Sequence, residues 1–320
     1  MIRRISIDTG KSTTKIVAES KGNTSRHLSF ISAIQEGADC TEDKTNHILK
    51  YEGKTYLVGS QAKSYMEIDN SKNSDLHKIC VMTALALSCD SGDKADAVIG
   101  CPLTNYYSIE QRSLYRQNIL PPGKHVVEID GTKKTIEIAN SSVRPESFGA
   151  VLYKPALFSG RTVNVVDIGG LNVNAVSYSD AILNQGTITT VQLGGIALCE
   201  ESLHALHKVA NEKMASALDS LSAEQIEEHV VRGYHPKIDG SREAIAKARK
   251  KIVQDIFSTL KKKNFDFTND FVFIGGTSLL LKNELIEIFG DDCTFIADSL
   301  EEMQFINAEG FYRSIRKKEK

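Results

Sequence analysis

Short apolar runs, each closed by an aspartate or a glycine, pattern the first hundred positions. Ile5-Ser6-Ile7 runs into Asp8-Thr9-Gly10, and Lys15-Ile16-Val17-Ala18 follows. That order predicts a strand, a tight turn at Gly10 and a returning strand. More short strand signals fill residues 21–60, including Lys54 to Val58 just before Gly59. Leu76, Ile79, Cys80, Thr83 and Leu87 share one helical face, so a helix is expected over 76–88, ended by Asp90-Ser91-Gly92-Asp93. Ala97 to Gly100 reads as a short buried strand, Pro102-Leu103 as the start of a loop and Tyr106 to Asn118 as a helix. Lys124 to Ile138 reads as a hairpin around Asp130-Gly131. Pro145 suits a first helical turn, with Glu146 near its positive end.

The second half restarts in the same style. Val163 to Asp167 reads as a strand, Ile168-Gly169-Gly170 as a glycine turn and Val173 to Tyr178 as the returning strand. Gln192-Leu193-Gly194-Gly195 leads into a helix from about Ala197, whose stripe Leu203, Leu206, Ala210, Met214 and Leu218 keeps helical spacing. A long helix is expected over 241–262, with Ile245, Ala248, Ile252, Ile256 and Leu260 inward. Phe271 to Ile274 reads as a buried strand ending in Gly275-Gly276, followed by an apolar helix. The strand–Asp–x–Gly–turn–strand unit thus occurs twice, at Asp8 and Asp167, about 160 residues apart, a spacing that predicts two related domains.

Composition narrows the classes. The chain has 320 residues, 41% hydrophobic and 25% charged, which fits a folded chain with room for two cores. No apolar run approaches the roughly 20 residues a membrane helix needs, and the first ten residues lack a signal-peptide core. A cytoplasmic protein without membrane contact is the expectation. The net charge of −2, from 39 basic and 41 acidic side chains, argues against direct DNA binding. The six cysteines, Cys40, Cys80, Cys89, Cys101, Cys199 and Cys293, form no CxxC pair and read as reduced thiols. His204 and His207 sit three apart without a third metal ligand and read as helix-surface residues. Arg313, Arg316, Lys317, Lys318 and Lys320 read as a solvated cationic helix end.

Several residues are candidates for phosphate chemistry. Gly10 lets backbone amides turn toward a ligand, and Lys11, Ser12, Thr13 and Lys15 bring ammonium and hydroxyl groups. Asp8 would hold Mg²⁺ through water. Asp167, Gly169 and Gly170 repeat that logic. Gly194-Gly195 and Gly275-Gly276 each follow a strand and open a helix, where unpaired amides favour a nucleotide, although ordinary strand-to-helix packing explains either pair as well. Glu146 reads either as the carboxylate on the water that attacks a γ-phosphate or as a helix cap. There is no GxGxxG and no GxxxxGK[ST].

The order of these motifs resembles the actin / sugar kinase / heat-shock chaperone superfamily, over nearly the whole chain. Asp8-Thr9-Gly10 looks like its first phosphate loop, Asp167-Ile168-Gly169-Gly170 like its second, and Phe273-Ile274-Gly275-Gly276-Thr277 like its adenosine motif. Within it, Gly100-Cys101-Pro102-Leu103-Thr104-Asn105-Tyr106-Tyr107, Arg144-Pro145-Glu146-Ser147 and the second loop are most similar to the ParM plasmid-segregation actins. The resemblance implies an α/β, actin-like two-domain fold: a mixed sheet flanked by helices in each domain, and nucleotide in the cleft between them. Residues 1–157 would form domain I, with a C-terminal helix of about 300–320 returning to it, and 158–299 domain II.

It also implies an ATPase with ATP (or GTP) and Mg²⁺. Asp8 and Asp167 would be metal-holding through water, and Glu146 and Asp167 catalytic. Leu171 and Asn172 stand where the family usually has hydroxyl residues, so the amides of Gly169, Gly170 and Leu171 would carry more of the phosphate. The implied activity is polymerisation into dynamic filaments that segregate plasmids, through an adaptor bound to a centromere-like DNA site. Two other functions compete. A small-molecule kinase of the same superfamily would transfer phosphate to a sugar or acid. A non-catalytic nucleotide-binding scaffold would carry an amphipathic membrane tail, for which Phe311 to Lys320 is a poor match.

Overall fold

The computed structural model describes residues 1–20, 24–38, 41, 43–65, 72–290 and 293–316. Its contacts divide the chain into two compact units, Met1–Leu157 with Gln304–Lys320, and Phe158–Met303. Cys40 and residues 317–320 lie outside the described residues, as does the side chain of Arg316.

The first unit holds a ten-stranded sheet. Its strands are β1 (Ile2–Thr9), β2 (Thr13–Glu19), β3 (Ser25–Ile31), β4 (Ala33–Glu36), β5 (His47–Tyr51), β6 (Lys54–Val58), β7 (Ser64–Tyr65), β8 (Lys94–Cys101), β9 (Gly123–Ile129) and β10 (Thr132–Pro145). β1, β2 and β3 form an antiparallel meander, while β1 and β10 run parallel to β8 on either side of it. The helices are α1 (Asp75–Ser88), α2 (Leu103–Tyr106), α3 (Ile109–Ile119) and α4 (Phe148–Tyr153). The central strands are buried on both faces, so alternation sorts their side chains between two helical layers. Ile5, Ile7, Ile16 and Ile99 pack with Leu76, Ile79 and Met82 of α1. Val17 and Val98 face the C-terminal helix instead, where Phe305, Ala308, Phe311 and Tyr312 cover them. The polar residue between Ile5 and Ile7 is satisfied there, because the Ser6 hydroxyl donates to the Ala308 carbonyl at 2.6 Å.

The second unit holds β11 (Thr162–Ile168), β12 (Val173–Ser179), β13 (Ile182–Leu183), β14 (Thr189–Val191), β15 (Asp270–Ile274) and β16 (Thr294–Phe295). β11 pairs antiparallel with β12 and parallel with β15. Its helices are α5 (Gly195–Val209), α6 (Glu212–Leu218), α7 (Ala223–Arg232), α8 (Ser241–Lys262), α9 (Gly276–Leu280), α10 (Lys282–Phe289) and α11 (Leu300–Gln304). α12 (Ile306–Arg316) follows and packs in the first unit. Val166, Ile168, Phe271 and Phe273 bury against Ile252, Ile256 and Leu260 of α8, the inward stripe read from the sequence.

Four expected helices depart from their bounds, and the C-terminal one over about 300–320 is two, α11 and α12, parted at Phe305. The stripe over 203–218 is two helices, because the Asn211 side chain accepts from the Met214 amide at 3.0 Å and starts a new one. Ser108 does the same for Gln111 at 3.2 Å, so α2 and α3 replace one helix over 106–118, and the expected loop at Leu103 is helical. Pro145 is the last residue of β10 and not a first helical turn; Ser147, at φ 69°, separates Glu146 from α4.

Candidate functional site

In the first unit, β1 and β2 form the expected hairpin, with Asp8 opposite Lys15 and the Gly10 amide donating to the Asp8 carbonyl at 3.0 Å. Glycine is required at position 10 by space: a Cβ there would lie 2.6 Å from the Thr13 carbonyl oxygen and 3.0 Å from Lys15 Nζ. Lys11 is buried, while Ser12 and Thr13 are half-buried. Ser32 braces the turn, its amide donating to the Ser12 carbonyl at 2.9 Å and its hydroxyl to the Gly10 carbonyl at 2.7 Å. Ser32 was not legible as a site residue, since a serine in a short strand run carries no motif.

Asp8 and Glu146 share one buried patch, since a Cβ on Gly100 would sit 3.4 Å from Asp8 Oδ1 and 3.9 Å from Glu146 Cγ. Burial pushes the Asp8 carboxyl above the usual carboxylate range; Lys15 and Lys72 pull it back and Glu146 pushes it further up. The Glu146 amide donates to the Cys101 carbonyl at 2.9 Å, and the Tyr115 hydroxyl donates to the Gly100 carbonyl at 2.9 Å, so the end of β8 is fixed beside both carboxylates. Lys72 completes the patch. Its ammonium lies 2.5 Å from Glu146 Oε1 and 2.6 Å from the Thr9 carbonyl oxygen. No local pattern marks it, because it is a lone lysine 74 residues from its partner.

In the second unit, Asp167, one residue before the end of β11, is almost fully buried and paired in register with Asn174 and Ile274. The Gly169 amide donates to the Asn172 carbonyl at 2.9 Å and closes the turn that holds Gly170, Leu171 and Asn172. Gly194 and Gly195 do not offer the unpaired amides expected of them. The amides of Gly194, Gly195 and Ile196 donate to the carbonyls of Leu171, Gly169 and Gly170 at 3.1, 3.0 and 2.7 Å. The start of α5 is therefore spent on shaping the second loop. Gly275 has φ +85°, and a Cβ on it would lie 2.6 Å from Asp167 Oδ1. Gly276 opens α9, and the Thr277 hydroxyl donates to the Gly169 carbonyl at 3.1 Å. The structure thus gathers Asp167, Gly169, Gly170, Gly194, Gly195, Gly275 and Thr277 at one end of β11 and β15.

His207 lies 3.3 Å from Asp219, His204 is exposed, and no metal-binding cluster of His, Cys, Asp and Glu occurs among the described residues. Cys80, Cys89 and Cys101 are buried free thiols pushed up to about 12 by burial, and Cys199 and Cys293 are half-buried. Arg313 lies 3.9 Å over the Tyr153 ring and remains exposed to solvent. No helix among the described residues is long and apolar enough to cross a membrane.

Each of the two units thus carries a buried aspartate beside a glycine turn, and the comparisons say which fold this is. Residues 6–149 match the family of actin-like proteins' N-terminal domains. Among solved structures, the archaeal actin homologue Ta0583 in complex with ADP matches with a TM-score of 0.77 at 17% identity, over 99% of this chain and 100% of that one. The Alp12 filament structure matches with 0.74 at 24% identity, over 100% and 99%. Bacillus thuringiensis ParM with ATP matches with 0.74 at 16% identity, over 99% of each chain. No curated protein sequence matches. The chain therefore has the two-domain actin-like fold, with an actin-like N-terminal domain over residues 6–149. Within that fold its likeness is to ParM and its actin-like relatives.

Proposed function

We propose that the chain is an ATPase that binds ATP and Mg²⁺ and polymerises into dynamic filaments. The observation that carries this reading is the duplication: each unit places a buried aspartate, Asp8 or Asp167, at a strand end beside a glycine turn. The residues fit the ligand. A carboxylate held out of water, such as Asp8, favours a cation, and the close backbone packing at Gly10, Gly194 and Gly275 leaves no room for side chains beside the loops.

Asp8 and Asp167 would hold Mg²⁺ through water, and the ion would neutralise phosphate charge. Lys11, Ser12, Thr13 and Lys15 from the first hairpin, and Gly169, Gly170, Leu171 and Asn172 from the second, would hold the phosphates. Gly275, Gly276 and Thr277 would border the adenosine, with Gly194 and Gly195 supporting the second loop from behind. Glu146 would orient the attacking water and take its proton. Nucleotide would favour the conformation that adds to a filament end, and hydrolysis would release it. The related Alp12 filament and ATP-bound ParM support this. We extend the reading to plasmid segregation through a DNA-bound adaptor in the cytoplasm, which the ParM-like stretches and a net charge of −2 support.

Light scattering of the purified chain should rise on adding ATP and Mg²⁺ and fall as ATP is consumed. Glu146→Ala should bind ATP almost normally, release phosphate roughly 10²–10⁴-fold more slowly and form long-lived filaments. No rise at any protein concentration, or wild-type phosphate release by the variant, defeats the reading. A parallel titration with GTP tests the nucleotide.

A further inference from the structure

Lys72 belongs to no motif, yet it hydrogen-bonds both Glu146 and the first hairpin. We propose that Lys72 is a positioning residue for hydrolysis, acting through Glu146: its ammonium locks the Glu146 carboxylate to Thr9 at the base of the first glycine hairpin. The proposal rests on the reading of the chain as an ATPase with Glu146 on the attacking water.

Burial makes this pair unlike the surface ion pairs of the molecule. The side chains of Lys72 and Glu146 are each 8% exposed, whereas those of Lys54 and Glu36 are 52% and 56% exposed. An exposed pair contributes about 0–1 kcal/mol and is free to vary. A buried pair costs so much desolvation that apolar residues of the same volume often serve stability as well, so stability alone does not account for it. The backbone points the same way. Lys72 has φ 51° and Ser147, directly after Glu146, has φ 69°. Left-handed backbone at a residue with a Cβ is strained and persists where the surroundings hold it, which is characteristic of functional sites. Here it occurs at Lys72 itself and at the residue directly after its partner Glu146.

The geometry gives the ammonium a task. One donor fixes Oε1 of Glu146 and a second holds the carbonyl of Thr9, which lies between Asp8 and Gly10. The carboxylate is thereby aimed, and its position is tied to the loop read as gripping phosphate. An error of about 1 Å in such an alignment costs on the order of 10²-fold in rate.

The test is single-turnover phosphate release and binding of a fluorescent ATP analogue with Mg²⁺, on the full chain and on Lys72→Met, Glu146→Gln and the double variant. Lys72→Met should bind nucleotide within about threefold of wild type and release phosphate about 10²-fold more slowly. In the Glu146→Gln background the same substitution should cost nothing further, because a residue that acts through Glu146 has nothing left to act on. Wild-type turnover by Lys72→Met overturns the proposal. So does an equal loss in both backgrounds, which would place Lys72 on the phosphate or in the fold. Should Lys72→Met fail to fold with Glu146 left unpaired, the double variant removes both charges. Turnover equal to that of Glu146→Gln then supports the proposal, and a tenfold lower value overturns it. Wild-type turnover by Glu146→Gln overturns the catalytic reading itself and this proposal with it.

Discussion

Gly310 in α12 rests directly on the backbone of Gly149 in α4: a Cβ on Gly310 would lie 2.6 Å from the Gly149 Cα. A Cβ on Gly149 would in turn lie 2.6 Å from Oδ1 of Asn307, one turn earlier in α12. Neither glycine has the positive φ that favours the residue; the demand is for close approach of two helices. α4 begins two residues after Glu146, so the last helix of the chain braces the segment that carries the candidate catalytic carboxylate.

Gly310→Ala should therefore destabilise the first unit. Its methyl group has only backbone to push against, and overpacking of this kind costs about 1–3 kcal/mol. Gly186→Ala is the control, since a Cβ there meets nothing closer than an Asn184 side-chain oxygen at 3.4 Å. It should stay within about 0.5 kcal/mol of wild type. Urea midpoints for both variants, read by circular dichroism, check the difference.

The parts legible in the sequence were those with a local period. The hairpin around Gly10, the strand at Val163 to Asp167 and the inward stripe of α8 follow from alternation and helical spacing, and the structure has them. Breaks inside a periodic run were not legible. Ala210 and Met214 keep the helical phase across the gap between α5 and α6, and only the Asn211 cap reveals it. Glu146 was placed on a helix because Pro145 suits a first turn, but the proline closes β10, whose edge next to β8 persists to that residue. Lys72, Ser32 and Tyr115 were silent for a third reason. Their roles depend on partners far along the chain, and no spacing rule reaches that distance.

Asp8 gives a stability prediction with a definite sign. Burial raises its carboxyl pKa in the fold above the unfolded value. The folded state then binds more protons than the unfolded one across the window between those values. Stability therefore falls as pH rises through that window, and the full cost is present at neutral pH. Asp8→Asn should raise the urea midpoint at pH 7, with the gain vanishing as pH drops toward the ordinary aspartate range. The same variant should lose Mg²⁺-nucleotide binding, seen as the absence of the stabilisation that saturating ligand gives the wild type, about 2.7 kcal/mol at a hundredfold excess over Kd. An unchanged midpoint at pH 7 would remove Asp8 as a group held out of water at a cost to the fold.

His229 and His235 supply the opposite sign in the second unit. Their ring centroids lie 4.3 Å apart, the planes tilted by 49°, where α7 meets the segment before α8. Burial lowers the pKa of both. Arg232 adds to the lowering at each, His229 and Lys237 add to it at His235, and Glu228 opposes it at His229. Both histidines are therefore neutral in the fold at pH values where the unfolded chain already protonates them. The unfolded state binds more protons below the ordinary histidine pKa of about 6.5, so stability present at pH 7.5 is lost as pH falls through that value. The fold leaves little room for the extra charge. The Arg249 guanidinium donates to the Val230 carbonyl at 2.6 Å, beside His229, and Arg232 and Arg242 flank Tyr234 between the two histidines. The urea midpoint of the wild type should drop between pH 7.5 and 5.5. In the His229→Gln/His235→Gln variant, which cannot titrate there, the slope should flatten. Equal slopes in the two proteins would show that both rings protonate as readily in the fold as in the unfolded chain.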